Sequence, residues 1–195
     1  MALFFAIFPE GEALQQLIEL QSELSAKVDA SHLKWEPSFK FHLTLKYLGN
    51  GDSPGEREER AILAAEQVQT QFAPFEISFG EIGAFPDEKK PEVLWVGVNN
   101  GFPVLVQFAE SLDRSLNLEG FERETREYRP HLTLAKAKSR AATASLSNIF
   151  NRKSDLPKSV DKMCCYMVSS FSLVRSEFSA RGSSYKIVKE FQFSR

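Results

Sequence analysis

The tetrapeptide His-Leu-Thr-Leu occurs twice, at residues 42–45 and 131–134, in a chain of 195 residues with only three histidines. Side chains alternate across a β-strand, so in each copy the histidine and threonine share one face and the two leucines share the other. Each copy therefore reads as a half-buried strand, with leucines toward a core and a His/Thr face toward something polar. A duplication kept for packing alone would preserve the leucines and has no need of the histidines. If the two strands lie side by side, the surface between them carries two imidazoles, His42 and His131, and two hydroxyls, Thr44 and Thr133.

That set suits a phosphodiester. A neutral imidazole can take a proton from an attacking hydroxyl or water, and an imidazolium can protonate the departing oxygen; both forms are accessible near neutral pH. Threonine hydroxyls can donate hydrogen bonds to the non-bridging oxygens, where charge is concentrated. Positive charge can come from the imidazolium and nearby basic side chains, and the carboxylate-rich pattern favoured by magnesium has no clear signature, so neither a metal nor a cofactor is expected.

The rest of the chain is read around these strands. LFFAIFP is an opening strand, and Leu14, Leu17, Ile18, Leu24 and Val28 follow at helical spacing. FKFHLTLKYLG reads as one strand; Ser53, Pro54 and Glu56 then mark a capped helix start. Ala61, Ala65, Val68 and Phe72 form one helical face, and FEISFGEIGAF and EVLWVGV are two strands. The second half repeats the rhythm. A stripe of Phe102, Leu105, Phe108, Ala109, Leu112 and Leu116 leads to the strand RPHLTLAKA, a helix in SRAATASLSNIFNRK, and two closing strands, CCYMVSSFSLVRSEF and SYKIVKEFQF. Short connections between strands allow antiparallel pairing, and the expected class is α+β with two similar lobes.

Composition sets limits. With 43% hydrophobic and 26% charged residues the chain can bury a core, and a net charge of −2 excludes a polycation that wraps duplex nucleic acid non-specifically. No apolar run approaches the roughly 20 residues that span a bilayer. The N-terminus has no basic leader, so a cytoplasmic setting without membrane attachment is expected, with a monomer as the default. Cys164 and Cys165 are adjacent and offer no zinc spacing; they read as strand residues, one facing the core.

Taken with their flanks, these motifs resemble the two-histidine phosphoesterase superfamily, and most closely the bacterial and archaeal RNA 2′,3′-cyclic phosphodiesterases, historically called 2′-5′ RNA ligases. LFFAIFP matches the opening strand, WEPSFKFHLTLKYLG the first motif, AFPDEKKPEVLWVGV the connecting hairpin, YRPHLTLAKA the second motif and FSLVRSEFSARGSSYKIVKEFQF the closing strands. The resemblance implies a single bilobal domain over 1–195, with antiparallel sheets lining a central cleft and helices outside. It also implies metal-free hydrolysis of a terminal 2′,3′-cyclic phosphate to a 2′-phosphate. His131 is then the base that activates water, His42 the acid that protonates the leaving 3′ oxygen, and Thr44 and Thr133 hold the phosphate. Where the family often has arginine, this chain has Lys136, which keeps the charge without the planar fork.

Around the second motif, six basic residues from Arg123 to Arg140 face only Glu124 and Glu127, an excess of four (six minus two) that can attract an RNA end. Strand parity puts Lys46 and Arg129 on the histidine faces, so these two and Lys136 are candidate phosphate or RNA contacts. Phe4, Tyr47 and Tyr128 are candidate rings for base stacking. His32 reads as a loop residue outside the site, and Trp95 as core. The partners expected are RNA 3′ ends or small cyclic-phosphate nucleotides. The same site could join a cyclic phosphate to a 5′ hydroxyl, although water at ~55 M normally outcompetes a dilute hydroxyl. Hydrolysis of small cyclic nucleotides or 2′-5′ oligonucleotides is a further alternative. A non-catalytic RNA-binding module would not require two titratable partners.

Overall fold

The structure, a computed structural model, describes residues 1–28, 33–50, 54–152, 156–158, 160, 163–179 and 182–194. Strand β1 (Ala2–Ile7) is buried at all six positions. Leu3, Phe5 and Ile7 enter the main core, whereas Phe4 and Ala6 meet Val174, Phe8 and Tyr185 in a small second cluster. β1 thus separates a thick packed layer from a thin one, and the cleft lies on the thin side.

Helices α1 (Gly11–Ser25), α2 (Pro54–Gln69), α3 (Phe102–Leu118) and α4 (Arg140–Asn151) supply the thick layer. Leu17, Leu20 and Leu24 of α1, Ala61, Ala65 and Val68 of α2, Leu105, Phe108 and Leu112 of α3, and Leu146 of α4 pack in one cluster with Leu43, Leu45, Leu132 and Leu134. The leucine face of each tetrapeptide is therefore the helix-covered face. The Ser139 hydroxyl caps α4 by accepting from Ala142 N at 3.2 Å.

The remaining strands are β2 (Leu33–Trp35), β3 (Leu43–Asn50), β4 (Phe75–Phe85), β5 (Val93–Val98), β6 (His131–Ala137), β7 (Cys165–Val168), β8 (Ser170–Ser179) and β9 (Gly182–Gln192). They follow the order β7-β4-β5-β6-β3-β1-β8-β9, with β2 also on β6. Every adjacent pair is antiparallel. Two four-stranded blocks, β6-β5-β4-β7 and β3-β1-β8-β9, meet at the single residue pair Leu43–Leu132. The chain is a bilobal α+β fold in which the two tetrapeptides form the seam. Among the described residues no helix is long and apolar enough to cross a membrane.

Several elements depart from the sequence reading. FKFHLTLKYLG is not one strand: Ser38–Lys40 forms a 3-10 turn, and β3 starts at Leu43. The apolar run from Cys164 is broken at Ser169, so that β7 pairs with β4 while β8 pairs with β1. Neither cysteine is buried: Cys164 is half-exposed and Cys165 exposed. Four-residue β7 lies at the end of the strand order, where alternate side chains face solvent. Ser53 and His32 fall outside the described residues.

Gly101 precedes α3 with φ +75°, and a Cβ there would lie 2.1 Å from Glu76 O. Both the left-handed backbone and the close approach of β4 require glycine. Gly101→Ala is expected to destabilise the fold by about 2–3 kcal/mol. A thermal melt should then show Tm lower by roughly 4–12 °C; an unchanged Tm would contradict the packing.

Candidate active site

His42 immediately precedes β3 and His131 opens β6. With Leu43 opposite Leu132, the antiparallel register sets Thr44 across from His131 and Thr133 across from His42. The arrangement is diagonal, with each histidine facing the other copy's threonine. All four residues are half-buried, and the leucines between them are buried. The alternation read from the tetrapeptide therefore holds through the threonine of each copy.

It fails just after the last leucine. β1 pairs Ala6 with Thr44 and Phe5 with Lys46, passing over Leu45. β5 pairs Trp95 with Thr133 and Leu94 with Ala135, passing over Leu134. Each copy thus carries a one-residue bulge at the same place, and the bulge reverses which side chains face the cleft. Lys46 and Ala135 turn under the sheet, to 8% and 0% exposure, while Tyr47 and Lys136 emerge.

This corrects the placement of Lys46 on the histidine face. Its ammonium lies 2.7 Å from Asp113 Oδ1 of α3 and donates to Glu122 O at 2.8 Å. Asp113 also binds Arg123 through Oδ2 at 2.7 Å and accepts from Glu124 N at 3.1 Å. One buried carboxylate so ties β3 to the loop that lines the cleft.

The two histidines have matching hydrogen bonds. His42 Nδ1 lies 2.7 Å from Lys40 O, and His131 Nδ1 lies 2.7 Å from Arg129 O. A carbonyl only accepts, so each Nδ1 carries the proton and each neutral ring presents Nε2 as its lone-pair nitrogen. Rings hold the imidazoles from behind. His42 packs against Phe4 at 5.2 Å, Phe8 at 5.8 Å and Tyr185 at 5.4 Å between centroids. His131 meets the edge of Phe85 at 4.8 Å and Trp95 at 6.2 Å. Gly83 leaves room for Trp95, since a Cβ there would lie 2.2 Å from the indole.

Burial lowers both histidine pKa values from the usual 6.5, by penalising the charged form; the carbonyl partners act in the opposite direction. In the empty site both imidazoles therefore favour the neutral form at pH 7, and an incoming phosphate anion would favour protonation of one.

Other sequence candidates divide. Tyr47 is 55% exposed and lines a cleft of about 660 Å³ with Thr44, Phe85, Tyr128, Arg129 and His131. Phe4 is buried behind His42 and supports the site rather than offering a free face, while Tyr128 lines the cleft with its hydroxyl donating to Thr44 O at 3.0 Å. Trp95 is a half-buried cleft wall, not a core residue. Arg129 is exposed at the cleft with Glu127 at 3.6 Å, and Lys136 pairs with Glu36 at 3.4 Å. Arg126 binds Glu124 through two nitrogens at 3.0 Å and holds its carboxyl down to about 2. The basic excess counted along the sequence is thus largely paired with carboxylates, some from elsewhere in the chain. Phe8, Phe85, Tyr185 and Glu36 were not singled out by sequence. A cross-strand register would have been needed to bring them to the histidines. Among the described residues, no group of three or more His, Cys, Asp or Glu side chains is placed to hold a metal ion.

Comparison with known proteins bears on the family and the fold. Residues 7–95 match the model of the LigT-like phosphoesterases. An Aeropyrum pernix protein named RNA 2′,3′-cyclic phosphodiesterase is 31% identical over 150 residues, covering 77% of this chain and 80% of its own. A Methanothermobacter thermautotrophicus protein of the same name is 30% identical over 186 residues, covering 93% of each. A crystal structure from Thermus thermophilus superposes with a TM-score of 0.75 at 25% identity, covering 99% of this chain and 98% of that one. The chain belongs to the LigT-like phosphoesterase family, within the two-histidine phosphoesterases.

Proposed function

We propose that residues 1–195 act as one catalytic domain that hydrolyses the terminal 2′,3′-cyclic phosphate of RNA to a 2′-phosphate, without a metal ion. The observation that carries this reading is the matched pair of imidazoles, each anchored through Nδ1 and presenting Nε2 at the seam between the lobes. The names of the relatives support the substrate class.

The phosphate sits between the diagonal histidines, with Thr44 and Thr133 donating to its non-bridging oxygens. His131 Nε2 takes a proton from water as the new P–O bond forms opposite the 3′ oxygen. Protonated His42 gives its proton to that oxygen as the P–O3′ bond breaks, leaving a 3′ hydroxyl and a 2′-phosphate. The two imidazoles exchange protons with solvent to reset. Tyr47 and Arg129, which line the cleft beside His131, meet the terminal base or the next phosphate in this reading.

The experiment is the pH dependence of this hydrolysis in the presence of chelator. kcat/KM reports the free enzyme, and it requires one neutral and one protonated imidazole. Both pKa values lie below 6.5, so the protonated partner is lost as pH rises through that range and the neutral partner is lost below it. A bell with its maximum below pH 6.5 is expected, with kcat peaking at higher pH because the bound anion favours protonation. A kcat/KM maximum above pH 7, or loss of activity on chelation, would contradict the reading.

A further inference from the structure

Two imidazoles held by the same hydrogen bond need something to make them unequal. That something lies along the seam edge of β6, the side that meets β3. β2 and β3 both pair with this edge, end to end, at residues 135–137 and at Leu132. The chain between them leaves the edge through the 3-10 turn and returns, so Glu36 and His42 come back to neighbouring positions. Glu36 N donates to Leu134 O at 2.9 Å, and His42 stands across from Thr133. Gln21 of α1 fastens the point of departure, with Nε2 donating to both Glu36 O at 2.8 Å and Leu134 O at 2.9 Å.

The Glu36 side chain is only 13% exposed, and its carboxylate faces Lys136 Nζ at 3.4 Å. The bulge at Leu134 makes that meeting possible, since regular alternation would send Lys136 under the sheet. The Lys136 side chain is 46% exposed, so a phosphate in the cleft can draw its ammonium away from Glu36. When it leaves, a nearly buried carboxylate remains beside His42.

The charged and titratable groups around His42 are Glu36, Lys136 and His131 on the β6 side, Tyr185 on β9 and Lys40 before it in the chain. Lys40 turns its ammonium away to Ser183, 3.0 Å from Oγ, and toward the outer ring of Tyr185. Glu36 is the carboxylate of this set. Around His131 the nearest carboxylate on its own segment, Glu127, is 79% exposed and paired with Arg129.

Resting on the function proposed above, we infer that Glu36 is a positioning residue that assigns the acid role to His42: it keeps Lys136 at the His42 end of the cleft while the site is empty, and favours imidazolium at His42 once Lys136 has moved to the substrate phosphate. The carboxylate's attraction for the charged form of His42, opposed by Lys136, agrees with this placement.

The test follows the ring protons of His42 and His131 by NMR against pH in the substrate-free protein, beside kcat/KM profiles. Glu36→Gln should lower the His42 midpoint by about half a pH unit or more and leave His131 nearly unmoved. Lys136→Met should raise the His42 midpoint and also raise KM. Glu36→Asp should restore most of the His42 midpoint, which a merely structural loss would not do. The alkaline limb of kcat/KM should move to lower pH in Glu36→Gln, as the acid form is lost sooner. An unshifted His42 midpoint in folded Glu36→Gln protein, or an unmoved alkaline limb, overturns the inference. Absence of hydrolysis by the unmodified chain would instead overturn the proposed function, and it is read separately from the titration.

Discussion

Replacing His131 by alanine is expected to lower kcat by about 10²–10⁴-fold, the usual contribution of a positioned general acid or base. The ring is half-buried against Phe85 and Trp95 at the cleft surface, outside the main core, so the melting temperature should change little. His42→Gln should show a loss of similar size. Glutamine is chosen there because alanine would leave a gap between Phe4, Phe8 and Tyr185. Because the two groups act on one transition state, the double variant should be little worse than the more damaged single variant. Either single variant retaining activity within tenfold of the parent, at equal folded concentration, would contradict the assigned roles.

Asp113→Ala is expected to destabilise the protein by about 3–5 kcal/mol, the cost of stranding one member of a buried ion pair. Lys46 is 8% exposed and Asp113 7%, and the same carboxylate also holds Arg123 and the Glu124 amide. Its removal strands the Lys46 ammonium under the sheet and frees the loop at Glu122–Arg126 that borders the cleft. Urea denaturation should show the loss as a lower midpoint with little change in slope. Lys46→Met should also destabilise while leaving KM for the cyclic phosphate close to its original value. The double change Lys46→Met with Asp113→Leu should recover much of the loss, because two apolar side chains leave no buried lysine or aspartate charge. Should Lys46→Met raise KM tenfold at unchanged stability, the lysine would be a substrate ligand after all.

What could be read from the residues alone follows the range of the physical signal. The period of a strand is two, so His42, Thr44, His131 and Thr133 could be placed on one kind of face from four letters each, with the leucines opposite. The α3 stripe from Phe102 to Leu116 was equally legible, because a helical face repeats within one element. A bulge has no such periodic mark. The extra residues at Leu45 and Leu134 become visible only against the partner strand, and they reverse the residues that follow directly: Lys46 goes under, while Tyr47 and Lys136 come out. The face of Trp95 is hidden from the sequence for a related reason, since it is decided by pairing with Thr133 and by the open position at Gly83. Tyr185 reaches His42 across 143 residues of sequence, and Phe85 reaches His131 from the far end of a hairpin. The basic excess beside the second motif looked larger along the chain than it is in space, because Asp113 and Glu36 arrive from other elements to pair with Arg123 and Lys136. The break at Ser169 was hidden by an apolar run that continues through it.

The two tetrapeptides together are expected to open a cyclic phosphate. The most direct measurement is product analysis after incubating a short RNA ending in a 2′,3′-cyclic phosphate with the protein in chelator, beside the His42→Gln variant. Mass and regiochemical standards would identify the product. A 2′-phosphate with a free 3′ hydroxyl is expected, formed by the unmodified protein at least about a hundredfold faster than by the variant. A 3′-phosphate, or equal product from both proteins, would contradict it.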